Sequence, residues 1–107
     1  PLDLMNKVRR AAETEGPSYV HILCPCVPGW RIPSESSVKL SRLAVQTGFF
    51  PLYEIVDGEL RVTVRIIKRK PVAEYLKLQG RFRHLTEEDI AKIQEQVDAE
   101  CAKLGIP

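Results

Sequence analysis

Ser18-Tyr19-Val20-His21-Ile22-Leu23-Cys24-Pro25-Cys26-Val27-Pro28-Gly29-Trp30 is an apolar run that opens into a proline- and glycine-bearing loop, with two thiols at the opening. From Ser18 to Leu23 the apolar character is nearly continuous, which reads as a strand buried on both faces, as in a parallel sheet. Upstream, Leu4, Val8, Ala11 and Ala12 recur on one face of a helix with Asp3 as its N-cap, and Gly16 followed by Pro17 ends it. Helix followed by strand is half of an α/β unit, although no sheet partner for the strand is evident among these residues. Ligands of parallel sheets gather beyond the carboxyl ends of strands, and Cys24 and Cys26 lie there.

Downstream of the loop, Ser34 is the expected N-cap of a helix that places Leu40, Leu43, Ala44 and Thr47 on one face and ends at Gly48. That helix is expected to cover the sheet. The run Leu52 to Val56, then Asp57-Gly58, then Leu60, Val62, Val64 and Ile66 alternating with polar residues predicts a hairpin closed by a type I′ turn. Pro71 starts a short helix through Tyr75, Leu76 and Leu78, ended by Gly80. Thr86 and Asp89 form a capping box, with Leu85 and Ile90 spaced as a hydrophobic staple. The helix they open lines up Ile90, Ile93, Val97, Cys101 and Leu104 before Gly105. A chain that begins at Pro1 and enters a helix at once reads as a piece of a longer one.

A length of 107 residues, 44% apolar and 28% charged, describes one ordinary globular unit rather than a disordered segment. No apolar stretch approaches the about 20 residues of a membrane span, and no signal peptide is recognisable, so a cytoplasmic setting is expected. The odd cysteine count agrees with a reducing compartment. A net charge of +2 is too small to imply nucleic acid. Lys68-Arg69-Lys70 and Arg81-Phe82-Arg83-His84 are basic clusters, but Glu54, Asp57, Glu59, Glu74 and the acidic last helix offset them. They read as a solvated turn and a packed Phe82, or as a surface steering an acidic partner subunit or electron carrier. Trp30 and Tyr75 read as packing anchors, His21 as a buried residue and His84 as a surface one.

Thiols at a strand-to-loop opening suit soft-metal ligation or redox chemistry, and the neighbouring prolines restrict how the loop bends. An iron–sulfur cluster or a structural zinc normally takes four ligands. Only Cys101 remains besides Cys24 and Cys26, and His21 and His84 fit no ligand pair, so such a site would be incomplete here. Free cysteine also often fills space in a core, which is the reading for Cys101 on the apolar side of its helix. For Cys24 and Cys26 packing and ligation both stand. A dithiol switch fits less well, because a one-residue loop strains the disulfide.

Pro17 to Trp30, then Ala44-Val45-Gln46-Thr47-Gly48-Phe49-Phe50-Pro51-Leu52-Tyr53-Glu54, then Arg69-Lys70-Pro71-Val72 and Tyr75-Leu76-Lys77-Leu78-Gln79-Gly80-Arg81-Phe82 closely resemble, in order, the C-terminal part of the β subunit in the 2-oxoacid:ferredoxin oxidoreductase family, pyruvate synthase type. The resemblance runs from Pro17 to the last helix. It implies an α/β fold in which residues 1–50 end a thiamine-diphosphate-binding domain and carry a cluster-ligand loop, and residues 51–107 form a hairpin and helical extension. It implies an enzyme that decarboxylates a 2-oxoacid with thiamine diphosphate and Mg2+. Electrons then pass through 4Fe–4S clusters to ferredoxin, and the acyl group goes to coenzyme A. Partners implied are the other subunits, of α, γ and δ type, with no nucleic acid and no membrane. The family's late cluster cysteine lies in a small-Pro-Cys tripeptide, which falls on Cys26 here. Cys24 stands where the family has a small residue, so an exchange of ligand between the two thiols stays open. The family's Gly-Asp-Gly cofactor motif and its Cys-x-x-Cys pair do not occur in these residues, which implies that they are inactive by themselves. The alternative is a non-catalytic structural or subunit-binding module with packed cysteines.

Overall fold

Tyr75, Leu40, Leu76, Val72, Ala44 and Cys101 lose essentially all solvent contact, and they mark where three helices meet. The computed structural model describes residues 1–107. Its helices are α1 (Leu2–Glu13), α2 (Val27–Trp30), α3 (Ser37–Gln46), α4 (Val72–Leu76) and α5 (Glu87–Lys103). The strands β1 (Tyr53–Val56) and β2 (Glu59–Val62) separate α3 from α4, and short 3-10 turns cover Ser34–Ser36 and Gly80–Phe82. The result is a small α/β unit whose sheet is one antiparallel hairpin.

The core forms because the apolar faces of α3, α4 and α5 converge. Leu40, Leu43 and Ala44 from α3 and Val72, Tyr75 and Leu76 from α4 join Ile90, Val97 and Cys101 from α5, with Trp30, Ile32 and Ile106 closing the cluster. The expected faces of α3 and α5 are therefore borne out. The expected position of α3 over a parallel sheet is not, since α3 packs on α4. Ser34 also starts a 3-10 turn rather than capping the α-helix directly, and its carbonyl accepts the Ser37 hydroxyl at 2.8 Å.

The strand expected over residues 18–23 is not formed. No backbone group from Glu15 to Pro25 pairs with another backbone group, and Tyr19 and Ile22 are 86% and 56% exposed. A strand is defined by neighbours on the hydrogen-bonding edge, and apolar side chains cannot replace them. His21 is exposed, not buried, with its ring edge-on to Phe50 at 5.2 Å. α1 forms as expected, but Pro1 rather than Asp3 occupies its N-cap. Asp3 sits in the first turn and accepts from Lys7 Nζ at 2.7 Å. No residue of α1 is buried, and Leu2, Leu4, Met5 and Val8 stay exposed, while Arg10 reaches across to Glu54 at 3.0 Å.

Asp57 at φ 52° and Gly58 at φ 80° make the type I′ turn expected of Asp-Gly, pairing Val56 with Glu59 through to Tyr53 with Val62. The ladder stops at Val62, short of the expected Ile66. The amides of Thr63 and Val64 both turn to the Leu52 carbonyl, at 2.9 and 3.4 Å, which ends the alternation of partners.

At α5 the capping box is complete. Thr86 Oγ1 accepts the Asp89 amide at 3.2 Å, and Asp89 Oδ2 accepts the Thr86 amide at 2.8 Å. The Thr86 amide and then its hydroxyl hold the Asp89 carboxyl below its ordinary range. The folded state thus binds this proton less tightly than the unfolded one, and the contribution is present at neutral pH and lost as pH falls through the folded value. Thr86→Ala is expected to cost about 1 kcal/mol, read as a lower denaturant midpoint, with the gap from the parent shrinking in acid.

Candidate functional site

Cys26 is the last residue of the extended segment and the N-cap of α2, at φ −118° and ψ 104°. Its carbonyl accepts the Trp30 amide at 2.8 Å, so the backbone of the thiol-bearing residue is tied to the anchor four positions on. Pro28 costs nothing in the first turn of a helix, where its missing amide would have no partner. Arg31 then takes the left-handed conformation, φ 54° and ψ 58°, and Ile32 donates back to the Val27 carbonyl at 3.2 Å. A non-glycine residue in that region is strained, and such strain persists where surrounding contacts over-determine it.

Those contacts come from the corner after α4. Gly80 donates its amide to the Arg31 carbonyl at 3.2 Å, and a Cβ on Gly80 would sit 2.7 Å from Arg31 Cβ. Trp30 is 7% exposed and meets the Tyr75 ring edge-on at 6.3 Å. The Arg81 guanidinium lies 4.3 Å over the Trp30 ring and 4.4 Å over the Phe82 ring. Its Nε donates at 2.8 Å to Oε1 of buried Gln79, whose Nε2 donates to the Tyr75 carbonyl at 2.9 Å. The packing roles expected of Trp30 and Tyr75 are borne out. The Tyr75 hydroxyl is buried without a hydrogen-bond partner.

Cys24 and Cys26 are exposed free thiols, whereas Cys101 is buried. A Cβ on Gly29 would approach Cys26 Sγ to 2.9 Å, so the glycine leaves bare backbone where the sulfur rests. A soft, exposed sulfur on a braced loop with clearance beside it is a donor set of the right chemistry for one thiolate ligand. No group of three or more histidine, cysteine or carboxylate side chains that could hold a metal ion converges in the chain. Cys24 Sγ faces the neighbouring Pro25 carbonyl at 3.7 Å. Cys101 is the packing residue expected: burial pushes its thiol pKa up, and its Sγ donates to the Gly48 carbonyl at 3.7 Å.

The two basic clusters separate in the fold. Arg69 pairs with Asp98 at 2.6 Å and donates to the Pro107 carbonyl at 2.8 Å, so it is tied into the fold, while Lys70 lies 3.7 Å from Glu74 in a half-exposed pair. Arg81 is not part of a solvated turn. Its role was not legible in the sequence, where the only signal is an arginine between a glycine and an aromatic. His84 is exposed, as expected. No helix is long and apolar enough to cross a membrane.

No protein-family model matches the chain. Over 106 residues, 99% of its length, it is 53% identical to pyruvate synthase subunit PorB of Methanocaldococcus jannaschii and 57% identical to that of Methanothermobacter thermautotrophicus. The matches cover 36% and 37% of those proteins, so the chain spans about a third of the length of the curated relatives it matches. It is also 42% identical, over 97% of its length and 34% of the relative's, to ketoisovalerate oxidoreductase subunit VorB of Pyrococcus furiosus. The matched region is a C-terminal part of the PorB proteins, and the resemblance read from the sequence is borne out.

Proposed function

We propose, from the premise that this chain is homologous to the C-terminal part of pyruvate synthase subunit PorB, that it serves a cytoplasmic 2-oxoacid:ferredoxin oxidoreductase. In this reading Cys26 gives one thiolate to a 4Fe–4S cluster whose other ligands lie outside residues 1–107. The observation that carries it is the exposed Cys26 sulfur against Gly29, on a loop whose backbone is pinned through Trp30 and Arg31. When bound, thiamine diphosphate with Mg2+ supplies the carbanion chemistry for converting the 2-oxoacid to acyl-coenzyme A, and the cluster carries the electrons singly to ferredoxin.

What these residues contribute is placement. Buried Trp30 and the Pro-Gly turn keep the thiol-bearing backbone still, which holds a ligand in one orientation and limits reorganisation around it. Residues 1–50 carry the ligand loop of the thiamine-type α/β domain, and residues 51–107 are the extension that braces it. Pyruvate is the substrate proposed, from the 53–57% identity to two PorB relatives; identity to the Pyrococcus furiosus proteins, 42% for VorB and 40% for PorB, does not separate the two substrates. The exposed apolar side chains of α1 and the extended segment, Leu2, Leu4, Met5, Val8, Tyr19 and Ile22, suit burial against the rest of the β subunit or the α, γ and δ-type subunits.

Iron and acid-labile sulfide analysis of the complete, assembled protein tests this reading. Both are expected in amounts that count whole clusters. Their absence would leave a structural or subunit-binding module without a redox centre.

A further inference from the structure

The Cys26 loop is braced by side chains that stand far from it in the sequence. The Arg81 guanidinium carbon lies over the Trp30 ring at 4.3 Å and over the Phe82 ring at 4.4 Å, while its Nε donates to buried Gln79 at 2.8 Å. Trp30 in turn donates its amide to the Cys26 carbonyl at 2.8 Å. The adjacent Gly80 amide holds the carbonyl of left-handed Arg31 at 3.2 Å, and Arg31 ends the same loop. Two links, one through a ring and one through a backbone hydrogen bond, thus run from the corner after α4 to the C-terminal end of α2, and the Trp30 amide carries the first on to Cys26.

We propose that Arg81 is a positioning residue for the Cys26 thiolate, acting through Trp30, with Gly80 as the second point of attachment. The proposal rests on the reading of Cys26 as a cluster ligand. Only arginine meets the geometry. Its planar group stacks on aromatic faces and still donates in its own plane, whereas a lysine ammonium keeps the charge without the flat surface. Gly80 is required for a separate reason, since a side chain there would meet both Arg31 Cβ and, at 3.0 Å, the Arg31 carbonyl oxygen.

The test uses the full-length protein assembled with its partner subunits, in four variants: Arg81→Met, Arg81→Lys, Gly80→Ala and Cys26→Ser. Arg81→Met is expected to keep its iron on isolation, release it to a chelator about tenfold faster, and change the paramagnetic resonance line shape of one reduced cluster. Arg81→Lys recovers only part of the change, and Gly80→Ala moves both readouts the same way by pushing on Arg31. An Arg81→Met protein with a lower unfolding midpoint but parental iron release and an unchanged spectrum overturns the proposal, because a merely structural arginine behaves so. If Arg81→Met does not assemble, Arg81→Lys and Gly80→Ala decide, and parental spectra and release rates in both overturn it. Cys26→Ser separates the two levels: a cluster lost there, with Arg81 variants unchanged, rejects positioning alone, while a cluster retained there rejects the ligand reading and this proposal with it.

Discussion

Replacing Cys26 with serine in the complete, assembled protein is expected to remove or destabilise one iron–sulfur cluster, while Cys24→Ser leaves the cluster count unchanged. A thiolate is the usual and soft ligand for this iron, whereas a serine hydroxyl keeps its proton at neutral pH and is a harder donor. The two thiols lie two residues apart, yet their surroundings differ. Cys26 Sγ rests against the bare backbone of Gly29, and its own carbonyl is fixed by Trp30, whereas Cys24 Sγ donates to the next residue's carbonyl at 3.7 Å. A ligand must return to one place after each electron transfer, and the fixed thiol meets that need better. Iron content and paramagnetic resonance of the reduced protein measure the outcome. Loss in Cys24→Ser with retention in Cys26→Ser would exchange the assignment. Retention in both would mean that neither thiol is a cluster ligand.

Gly48→Ala is expected to destabilise the fold by about 3 kcal/mol, from left-handed strain of roughly 1–2 kcal/mol plus overpacking of roughly 1–3 kcal/mol. Gly48 leaves α3 at φ +77°, and a Cβ there would run into Cys101 Sγ and come to 3.0 Å from Arg69 Cδ. Neither neighbour yields cheaply. Cys101 is fully buried on α5, and Arg69 is held by Asp98 and the Pro107 carbonyl. Denaturant unfolding measures the loss. The double variant Gly48→Ala with Cys101→Ala is the control, since removing the sulfur frees the space and leaves mainly the backbone strain. The combined cost should then fall short of the sum of the single ones. An additive pair would mean that the steric conflict is absent.

Gly48 also shows why part of this fold is legible and part is not. Its position after the apolar face of α3 announces a helix end, which is a local matter of one turn. That the same glycine makes room for Cys101, far along the chain, is visible only once α5 is packed on α4 and its sulfur reaches the segment after α3. The thiol loop divides in the same way. Cys26, Pro28, Gly29 and Trp30 announce a constrained turn with a soft donor, but nothing local in Gly80, Arg81 or Phe82 announces the brace that holds it.

The type I′ turn at Asp57-Gly58, the Thr86–Asp89 capping box and the buried faces of α3 and α5 follow from the sequence by itself, because each depends on residues within a turn or two of one another. Tertiary structure alone decided three things: that residues 18–23 stay extended and unpaired, that α3 packs on α4 instead of a sheet, and that Arg81 stacks on Trp30. A strand needs an edge to bond to and a stacked cation needs a ring brought to it. Periodicity and propensity describe a segment's own preferences and carry no record of which distant partner arrives.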